Sequence, residues 1–252
     1  MTDELSPFLD TAISASREAG ELLKANFGTT LTVNELQAHD IKLELDVRSQ
    51  ALITERILAA YPTHAIYGEE GIAGDQSSEW QWIVDPIDGT VNFFYGIPHF
   101  CISIALRRGG EIILGVIYDP MRDELWSVRA DGEPLLNGKP IQVSQRTQLS
   151  DAVLSIGFAK SKTTIAAGLP LLEKFIGRAR KIRLMGSAAL DLAYVACGRL
   201  DAYIESSVSL WDIAAGKLLV ERAGGSFEMA SRTDNPDKMS VRAWSGHINI
   251  DL

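Results

Sequence analysis

The chain has 252 residues, of which 46% are hydrophobic and 23% are charged, a composition that is typical of globular proteins and excludes disorder as the main state. No run approaches the roughly 20 apolar residues that a membrane-spanning helix requires, so we expect no membrane partner. The formal net charge of -9 disfavours binding to nucleic acid. A partner that carries phosphate would need a local positive charge, such as a metal ion, to offset the repulsion.

The cysteines and the N-terminal residues 1–19 indicate the cellular compartment of the protein. Cys101 and Cys197 both lie in apolar stretches, which is typical of buried thiols rather than of a disulfide framework. Residues 1–19 mix acidic, basic and apolar side chains and lack the continuous apolar segment of a secretory signal. We therefore expect a reducing compartment, the cytoplasm.

Hydrophobic periodicity predicts helices and strands in the first half of the chain. Apolar residues recur at helical spacing over 7–27 and 46–60, with extended segments between them at 31–45. Turn-rich segments at 108–110 and 119–123 join successive strands as hairpins, so we expect a sheet that is largely antiparallel. The strands of this half are predicted at 64–67, 81–84, 100–107, 112–118 and 124–128.

The second half of the chain alternates helices with strands. Residues 231–238 are polar and rich in turn formers, and we interpret them as a surface loop. The combination predicts a layered α/β architecture with two sheets and with helices between and outside them. It divides the chain into an α+β half, 1–148, and an α/β half, 149–252. The elements of the second half are helices at 163–176, 187–197 and 212–223 and strands at 153–156, 202–205 and 226–229.

The most informative stretch is Trp-Ile-Val-Asp-Pro-Ile-Asp-Gly-Thr-Val-Asn-Phe at 82–93. A buried strand is predicted to end at Asp85, and Asp88 follows before Gly89 permits a tight turn. Two carboxylates at a strand end suit Mg²⁺, which prefers oxygen ligands, and backbone N–H groups near Gly89 and Thr90 suit a phosphate. An Asp-Pro turn followed by an Asx turn, without any metal, is the alternative interpretation.

Other polar positions admit both a structural and a functional explanation. Glu69 and Glu70 follow a short strand, either as a solvated turn or as the source of a carboxylate that bridges metals. Asp46 and Asp212 stand at predicted helix starts, where capping and metal binding are both open. Ser187 is either a helix cap or part of an anion contact made by the free N–H groups of its helix.

Several common chemistries lack sequence support. His39, His64, His99 and His247 show no zinc-binding spacing, and we interpret them as structural. The chain contains no Gly-x-Ser-x-Gly elbow, no P-loop and no Gly-x-Gly-x-x-Gly run. Serine hydrolase, nucleoside triphosphate and dinucleotide functions are therefore disfavoured.

Three acidic motifs occur in a characteristic order: Gly-Glu-Glu at 68–70, Asp-Pro-Ile-Asp-Gly-Thr-Val-Asn-Phe at 85–93 and Trp-Asp-Ile-Ala-Ala-Gly at 211–216. Together with Gly-Val-Ile-Tyr-Asp-Pro at 115–120 and the segment 186–205, they resemble the inositol monophosphatase family of Mg²⁺-dependent, lithium-sensitive phosphatases. The resemblance implies a layered αβαβα sandwich, assembled as a homodimer.

The resemblance also implies a set of metal ligands, for two to three Mg²⁺ ions in each active site. Glu69, Asp85 and the carbonyl of Ile87 would hold the first ion. Asp85, Asp88 and Asp212 would hold the second, and Asp46 would help to place a third through water. The family usually has a lysine about eleven residues before the position of Asp46, where this chain has Glu35.

Catalytic and substrate roles are implied in the same way. Thr90, together with Glu69 or Asp46, would orient the attacking water, and the amides of Gly89 and Thr90 would contact the phosphate. The alcohol part of the substrate would meet Glu205 and Ala188. The substrate contacts implied by the resemblance are Asp88, Gly89, Thr90, Gly186, Ser187, Ala188, Glu205 and Asp212.

The implied activity is Mg²⁺-dependent hydrolysis of a small phosphorylated polyol, with inositol 1-phosphate as the first candidate. Histidinol phosphate, fructose 1,6-bisphosphate and 3′-phosphoadenosine nucleotides are alternative substrates on the same fold. A non-catalytic regulatory homologue is the alternative from a different functional class.

Overall fold

A computed structural model of the chain describes residues 4–37, 40–158, 162–232, 235 and 238–250. His39 and part of the predicted loop at 231–238 lie outside these residues. The helices are α1 (Ser6–Asn26), α2 (Glu44–Ala60), α3 (Thr90–Phe94), α4 (Lys162–Ile176), α5 (Ala188–Ala196) and α6 (Leu210–Arg222). The strands are β1 (Val33–Gln37), β2 (Asp40–Leu43), β3 (Ala65–Gly68), β4 (Gly71–Gly74), β5 (Trp80–Asp88), β6 (Cys101–Arg108), β7 (Glu111–Asp119), β8 (Glu124–Arg129), β9 (Leu135–Leu136), β10 (Lys139–Pro140), β11 (Val153–Ile156), β12 (Lys181–Arg183), β13 (Ala202–Val208), β14 (Ser226–Ser231) and β15 (Met239–Trp244).

Two large sheets and one small hairpin organise these strands. The first sheet has the order β10-β9-β8-β7-β6-β5-β3-β4 and is antiparallel except between β3 and β5. The second sheet has the order β12-β11-β13-β15-β14, with β11 parallel to both of its neighbours and the remaining pairs antiparallel. Strands β1 and β2 form a separate antiparallel pair.

The helices complete a five-layer αβαβα sandwich. Helices α1 and α2 pack on one face of the first sheet, and α5 and α6 lie between the two sheets. Helix α4 covers the outer face of the second sheet. Because helices cover both faces of the first sheet, β5 and β6 are buried along most of their length, which explains why their sequences are continuous apolar runs rather than alternating ones. The predicted fold class is confirmed.

The middle helical layer is packed closely on both sides. Every residue of α5 from Ala189 to Ala196 is buried. Gly216 of α6 faces Leu192 of α5, and a Cβ atom at position 216 would lie 2.5 Å from the Leu192 Cβ. The absence of a side chain at Gly216 therefore permits the two helices to approach each other, and this contact fixes α6 relative to α5.

Most predicted elements are confirmed, with shifted ends. The hairpins at 108–110 and 119–123 join β6 to β7 and β7 to β8, as predicted. The elements that were not predicted are helix α3 and strands β4, β9, β10, β12 and β15. Helices α2 and α6 begin two residues earlier than predicted, at Glu44 and Leu210. The division of the chain at 148/149 stays a prediction.

The cysteines and two of the histidines are found in structural positions. Cys101 is buried, Cys197 is half-buried, and both thiols are free. His64 is buried and accepts a hydrogen bond at Nδ1 from the Trp82 indole, at 3.0 Å, within an aromatic cluster. His99 is also buried. In the described part of the chain, no helix combines the length and the apolar character that crossing a membrane would require.

Candidate active site

A cavity of about 830 Å³ brings most of the predicted site residues together. It is lined by residues from both sheets and from the first turns of α3, α5 and α6. Asp46 is the one predicted site residue that is absent from its lining. The predicted residues that line it are Glu69, Asp85, Ile87, Asp88, Gly89, Thr90, Gly186, Ser187, Ala188, Glu205 and Asp212.

The end of β5 carries the central aspartates. The strand does not end at Asp85 as predicted; it continues to Asp88, with an irregular register against β6 between these two residues. Pro86 lacks an N–H donor, and the Ile87 N–H turns back to donate to Asp85 Oδ1 at 3.0 Å. This bulge directs both carboxylates into the same cavity, because irregular strand segments redirect side chains locally.

Gly89 ends this segment with a left-handed φ of 97°, a conformation that glycine adopts without steric strain. Helix α3 begins at the next residue, Thr90. The Thr90 hydroxyl lies 2.9 Å from the Ile87 carbonyl and 3.2 Å from Asp46 Oδ1, and it is a possible donor to either oxygen. Because a hydroxyl has a single proton, the two hydrogen bonds compete.

Asp88 connects the first sheet to helix α5. Its Oδ2 accepts from the Ser187 hydroxyl and from the Ala189 N–H, both at 2.6 Å, and its Oδ1 accepts from the Ala188 N–H at 3.3 Å. Ser187 is the N-cap of α5, which agrees with the first of its two predicted roles, that of a helix cap. The N–H groups at this helix start are thus bonded to a carboxylate, which the helix dipole stabilises.

Asp46 and Asp212 occupy equivalent positions on their helices. Each is the third residue of its helix, rather than the first as predicted, because both helices begin two residues earlier. Asp46 Oδ2 accepts from the Leu43 N–H at 2.8 Å, and Asp212 Oδ2 accepts from the Ser209 N–H at 2.6 Å. Both aspartates therefore satisfy a backbone donor at the helix start.

Glu69 reaches the same cavity from the turn between β3 and β4. Its N–H donates to the Val84 carbonyl at 3.1 Å, which ties the turn to β5 one residue before Asp85. The Glu70 N–H donates to Gln50 Oε1 at 2.9 Å, so α2 supports the turn from behind. Glu69 thereby lies on the cavity wall beside β5.

The carboxylates strongly perturb one another. Burial raises the pKa of Asp85 well above its usual value, and repulsion from Glu69, Asp88, Asp212 and Asp46 raises it further. Burial and the Asp212 charge raise the pKa of Asp88 to about 6, although the hydrogen bonds from α5 oppose the shift. Burial raises the pKa of Asp46 to about 7. The site therefore concentrates more negative charge than its surroundings stabilise.

The donor set fits a hard divalent cation, since its side-chain ligands are carboxylate oxygens and their mutual repulsion is the kind that a cation relieves. The arrangement is not a closed cage: within the described residues, no group of three or more His, Cys, Asp or Glu side chains could hold a metal ion as placed. Asp88 faces α5, and Asp46 lies behind Thr90. The chemistry of the donors, rather than their present orientation, supports a cation site.

Comparison with known proteins decides the family. The family model described as "Inositol monophosphatase family" matches residues 4–249. The chain belongs to the inositol monophosphatase family. This membership confirms the resemblance that the acidic motifs indicated, and it places the chain in a family of phosphatases.

Relatives of this inositol monophosphatase family member carry two kinds of name. "Nus factor SuhB" of Xylella fastidiosa is 37% identical over 97% of this chain and 91% of its own length. "Inositol-1-monophosphatase" of Rhizobium meliloti is 41% identical over 87% of this chain and 84% of its own length. Among solved structures, the extragenic suppressor protein suhB of Bartonella henselae superposes with a TM-score of 0.89 at 33% identity, covering 96% of this chain and 95% of that chain.

Further polar residues of this family member line the cavity without having been predicted. Tyr203 donates to Glu205 Oε2 at 2.5 Å, and Asp191 Oδ2 accepts from the Ser155 hydroxyl at 2.7 Å. Tyr203 could have been found from sequence, since it lies two residues before Glu205 and strand residues two apart share a face. Lys238 lies in the turn-rich segment and carried no recognisable signal.

The stability of this family member should depend on the protonation of Glu205. Burial raises the pKa of this carboxyl to about 7, so between about pH 4.5 and pH 7 the folded chain keeps a proton that the unfolded chain releases. The resulting stabilisation is complete below about pH 4.5 and is lost as the pH rises through 7. We expect the free energy of unfolding of the wild type, relative to that of Glu205→Gln, to fall by about 2 kcal/mol from pH 5 to pH 8.

Urea unfolding of both proteins at four pH values checks this expectation. Glu111→Gln, a change at an exposed glutamate of β7, serves as the control, and its free energy of unfolding should vary with pH as that of the wild type does. Parallel curves for Glu205→Gln and the wild type would show that the carboxyl does not keep its proton on folding.

Proposed function

We propose that the chain is a Mg²⁺-dependent phosphomonoesterase that hydrolyses a small phosphorylated polyol, with inositol 1-phosphate as the first candidate. The observation that carries the proposal is Asp85, an acid whose pKa is raised by its burial and by four neighbouring carboxylates, in a cavity that also holds the Thr90 hydroxyl. A fold gains nothing in stability from such a cluster, and perturbed acids in a cavity are typical of functional sites. Membership of a phosphatase family supports the same conclusion.

The cation would be held in the way that the resemblance implies. Glu69, Asp85 and the Ile87 carbonyl would hold one Mg²⁺, and Asp88 and Asp212 would share a second with Asp85. Asp46 would help to place a third through water. When bound, Mg²⁺ supplies the positive charge that a phosphate dianion needs beside these carboxylates and lowers the pKa of water.

The protein groups then orient the reactants. The Thr90 hydroxyl, held between Asp46 Oδ1 and the Ile87 carbonyl, would accept a hydrogen bond from the attacking water and pass its own proton toward Asp46. Glu69 is the alternative proton acceptor. The amides of Gly89 and Thr90 would contact the phosphate, whose negative charge suits backbone N–H donors.

The alcohol part of the substrate would face the second sheet. Glu205, with Tyr203 bonded to it, lines the same cavity as the segment from Gly186 to Ala188, and these polar groups suit the hydroxyls of a polyol. We propose a homodimer in the cytoplasm, without a nucleic-acid partner.

The name "Nus factor SuhB" on several relatives favours a second, non-catalytic role as the other candidate function.

Phosphate release from a substrate panel tests the proposal. The panel contains D- and L-myo-inositol 1-phosphate, histidinol phosphate, fructose 1,6-bisphosphate and 3′-phosphoadenosine 5′-phosphate, each with Mg²⁺, without Mg²⁺, and with Mg²⁺ and millimolar Li⁺. We expect Mg²⁺-dependent, lithium-inhibited release that is fastest for an inositol phosphate. If another ester is hydrolysed fastest, the proposed phosphatase activity stands and the proposed substrate is replaced. If no ester releases phosphate, the non-catalytic role is favoured.

A further inference from the structure

Two neighbouring strands of the second sheet enclose Glu205 at the alcohol side of the cavity. Glu205 lies on β13, which runs parallel to β11 with Ile204 opposite Ile156. Gly157 follows β11, and its N–H donates to the Ile204 carbonyl at 2.9 Å. Gly157 and Glu205 both line the cavity. The backbone at position 157 therefore lies beside the Glu205 side chain.

The absence of a side chain at position 157 leaves the space that the Glu205 carboxyl group occupies. A Cβ atom built on Gly157 would overlap Oε2 and Cδ of Glu205 and would lie 3.0 Å from its Cβ. Gly157 does not adopt a positive φ, so its backbone suits an L-residue as well. A larger residue at this position would therefore conflict with the carboxyl group of Glu205 rather than with the local backbone.

Tyr203 holds the same carboxyl group through a hydrogen bond. Its hydroxyl donates to Glu205 Oε2 at 2.5 Å, and the side chain of Tyr203 is buried. Burial and the Glu205 charge raise the pKa of Tyr203 well above its usual value, so the hydroxyl keeps its proton and remains the donor. Because a buried tyrosine cannot rotate freely, this bond restricts the carboxyl group to one orientation.

We propose that Gly157 and Tyr203 are positioning residues that hold the Glu205 carboxyl group where it selects an alcohol with hydroxyls. Oε2 is bonded to Tyr203, and no donor among the described residues bonds to Oε1, so Oε1 is the oxygen left to accept from a substrate hydroxyl. This inference rests on the proposed function, in which Glu205 faces the alcohol part of the substrate. It adds the two residues on which that contact depends.

The physical reason is the entropy of a flexible glutamate. A side chain that is free to rotate loses that freedom when the substrate binds, and this loss weakens binding. A carboxyl group that is already held in place avoids most of the loss. The benefit reaches only esters whose alcohol carries a hydroxyl for Glu205, so the preference among alcohols should report on Gly157 and Tyr203.

Two esters that share a six-membered ring test the inference. myo-Inositol 1-phosphate carries ring hydroxyls, and cyclohexyl phosphate carries none. At pH 8, above the Glu205 pKa of about 7, we expect the wild type to have the higher kcat/KM for inositol 1-phosphate. In Tyr203→Phe, which removes a hydrogen bond to a charged group, the ratio of the two kcat/KM values should fall about 10-fold. The fall should arise chiefly from a higher KM for inositol 1-phosphate, and Gly157→Ala should lower the ratio at least as much.

Matched controls and a double variant complete the test. Tyr118→Phe removes a hydroxyl that donates to Asp123 at 3.0 Å, away from the cavity lining, and should leave the ratio unchanged. Gly132→Ala should also leave it unchanged, since a Cβ atom at position 132 would lie 3.7 Å from its nearest neighbour, an ordinary contact distance. If Tyr203 acts through Glu205, Tyr203→Phe in a Glu205→Ala background should lower the ratio no further.

Two results overturn the inference while the proposed function stands. One is a wild type that hydrolyses esters without preferring inositol 1-phosphate to cyclohexyl phosphate. The other is a Tyr203→Phe variant that is folded by circular dichroism and slows both esters equally, as a purely structural role would. Because phenylalanine keeps the buried ring, this variant decides the result even if Gly157→Ala does not fold.

Absence of turnover has a different meaning. If the wild type releases phosphate from no ester at all, the proposed function is overturned. Calorimetric binding of inositol 1-phosphate and cyclohexyl phosphate in Mg²⁺ then decides the inference by itself. Tighter binding of inositol 1-phosphate that is weakened in Tyr203→Phe supports the positioning roles, and equal affinities or no binding overturn them.

Discussion

Asp85→Asn is expected to lower kcat at least 100-fold while raising the stability of the protein. The asparagine oxygen can still accept from the Ile87 N–H, so the bulge at the end of β5 is retained. The charge that the proposed cation site needs is lost, and a 100-fold effect corresponds to about 2.7 kcal/mol of transition-state stabilisation. Repulsion with Glu69, Asp88 and Asp212 is also lost, so the free energy of unfolding at pH 8 without Mg²⁺ should rise by about 1–2 kcal/mol.

Phosphate release and thermal unfolding, both with and without Mg²⁺, measure the two effects. The wild type should gain more thermal stability from Mg²⁺ than the variant does. Asp119→Asn is a matched control, because Asp119 is a buried aspartate whose charge pairs with Arg122 at 2.8 Å. It should lose stability and keep kcat. An Asp85→Asn variant that retains more than about a tenth of the wild-type rate would contradict the assignment of Asp85 as a ligand.

Thr90→Ala is expected to lower kcat about 100-fold with little change in the Mg²⁺ concentration needed for half-maximal rate. The change removes the hydroxyl that lies between Asp46 Oδ1 and the Ile87 carbonyl, and a positioned proton relay contributes factors of this size. Thr90→Ser keeps the hydroxyl and should keep most of the rate. The free energy of unfolding should fall by about 1 kcal/mol through the lost hydrogen bond.

Titration of the rate with Mg²⁺ distinguishes the two possible tasks of this hydroxyl. A Thr90→Ala variant that recovers the wild-type kcat at high Mg²⁺ would mean that Thr90 supports ion binding instead of orienting water. Thr11→Ala, which removes a hydroxyl bonded to the Pro7 carbonyl at 2.9 Å on α1, is the control and should change neither quantity.

Local patterns were sufficient for most of the fold. Helical spacing located α1 and α2, and the Gly-rich turn at 108–110 predicted the antiparallel pairing of β6 and β7. These elements depend on residues that are neighbours in sequence, so the hydrophobic and turn patterns of short segments are sufficient to predict them. The motif that ends β5 likewise indicated that Asp85 and Asp88 lie close together, and both line one cavity.

Features that depend on distant contacts could not be predicted from the sequence. Asp88 bonds to Ser187 and Ala189, about a hundred positions away, and no local pattern indicates that partnership. Helix α3 is short, and β12 has three residues, so neither has a detectable period. The starts of α2 and α6 were placed too late, because a capping aspartate three residues into a helix looks like the cap itself.

Asp46 and Asp212 are proposed metal ligands that also cap their helices, and this affects how related sequences can be interpreted. Each accepts a hydrogen bond from a backbone N–H at the start of its helix, so selection for folding alone would preserve it in a chain without phosphatase activity. Asp85 is different, because it closes no helix start and its pKa is raised by burial and by four neighbouring carboxylates, so drift without catalytic selection would remove it early. Among chains that share these motifs, the residue at position 85 is therefore a better marker of retained turnover than either capping aspartate.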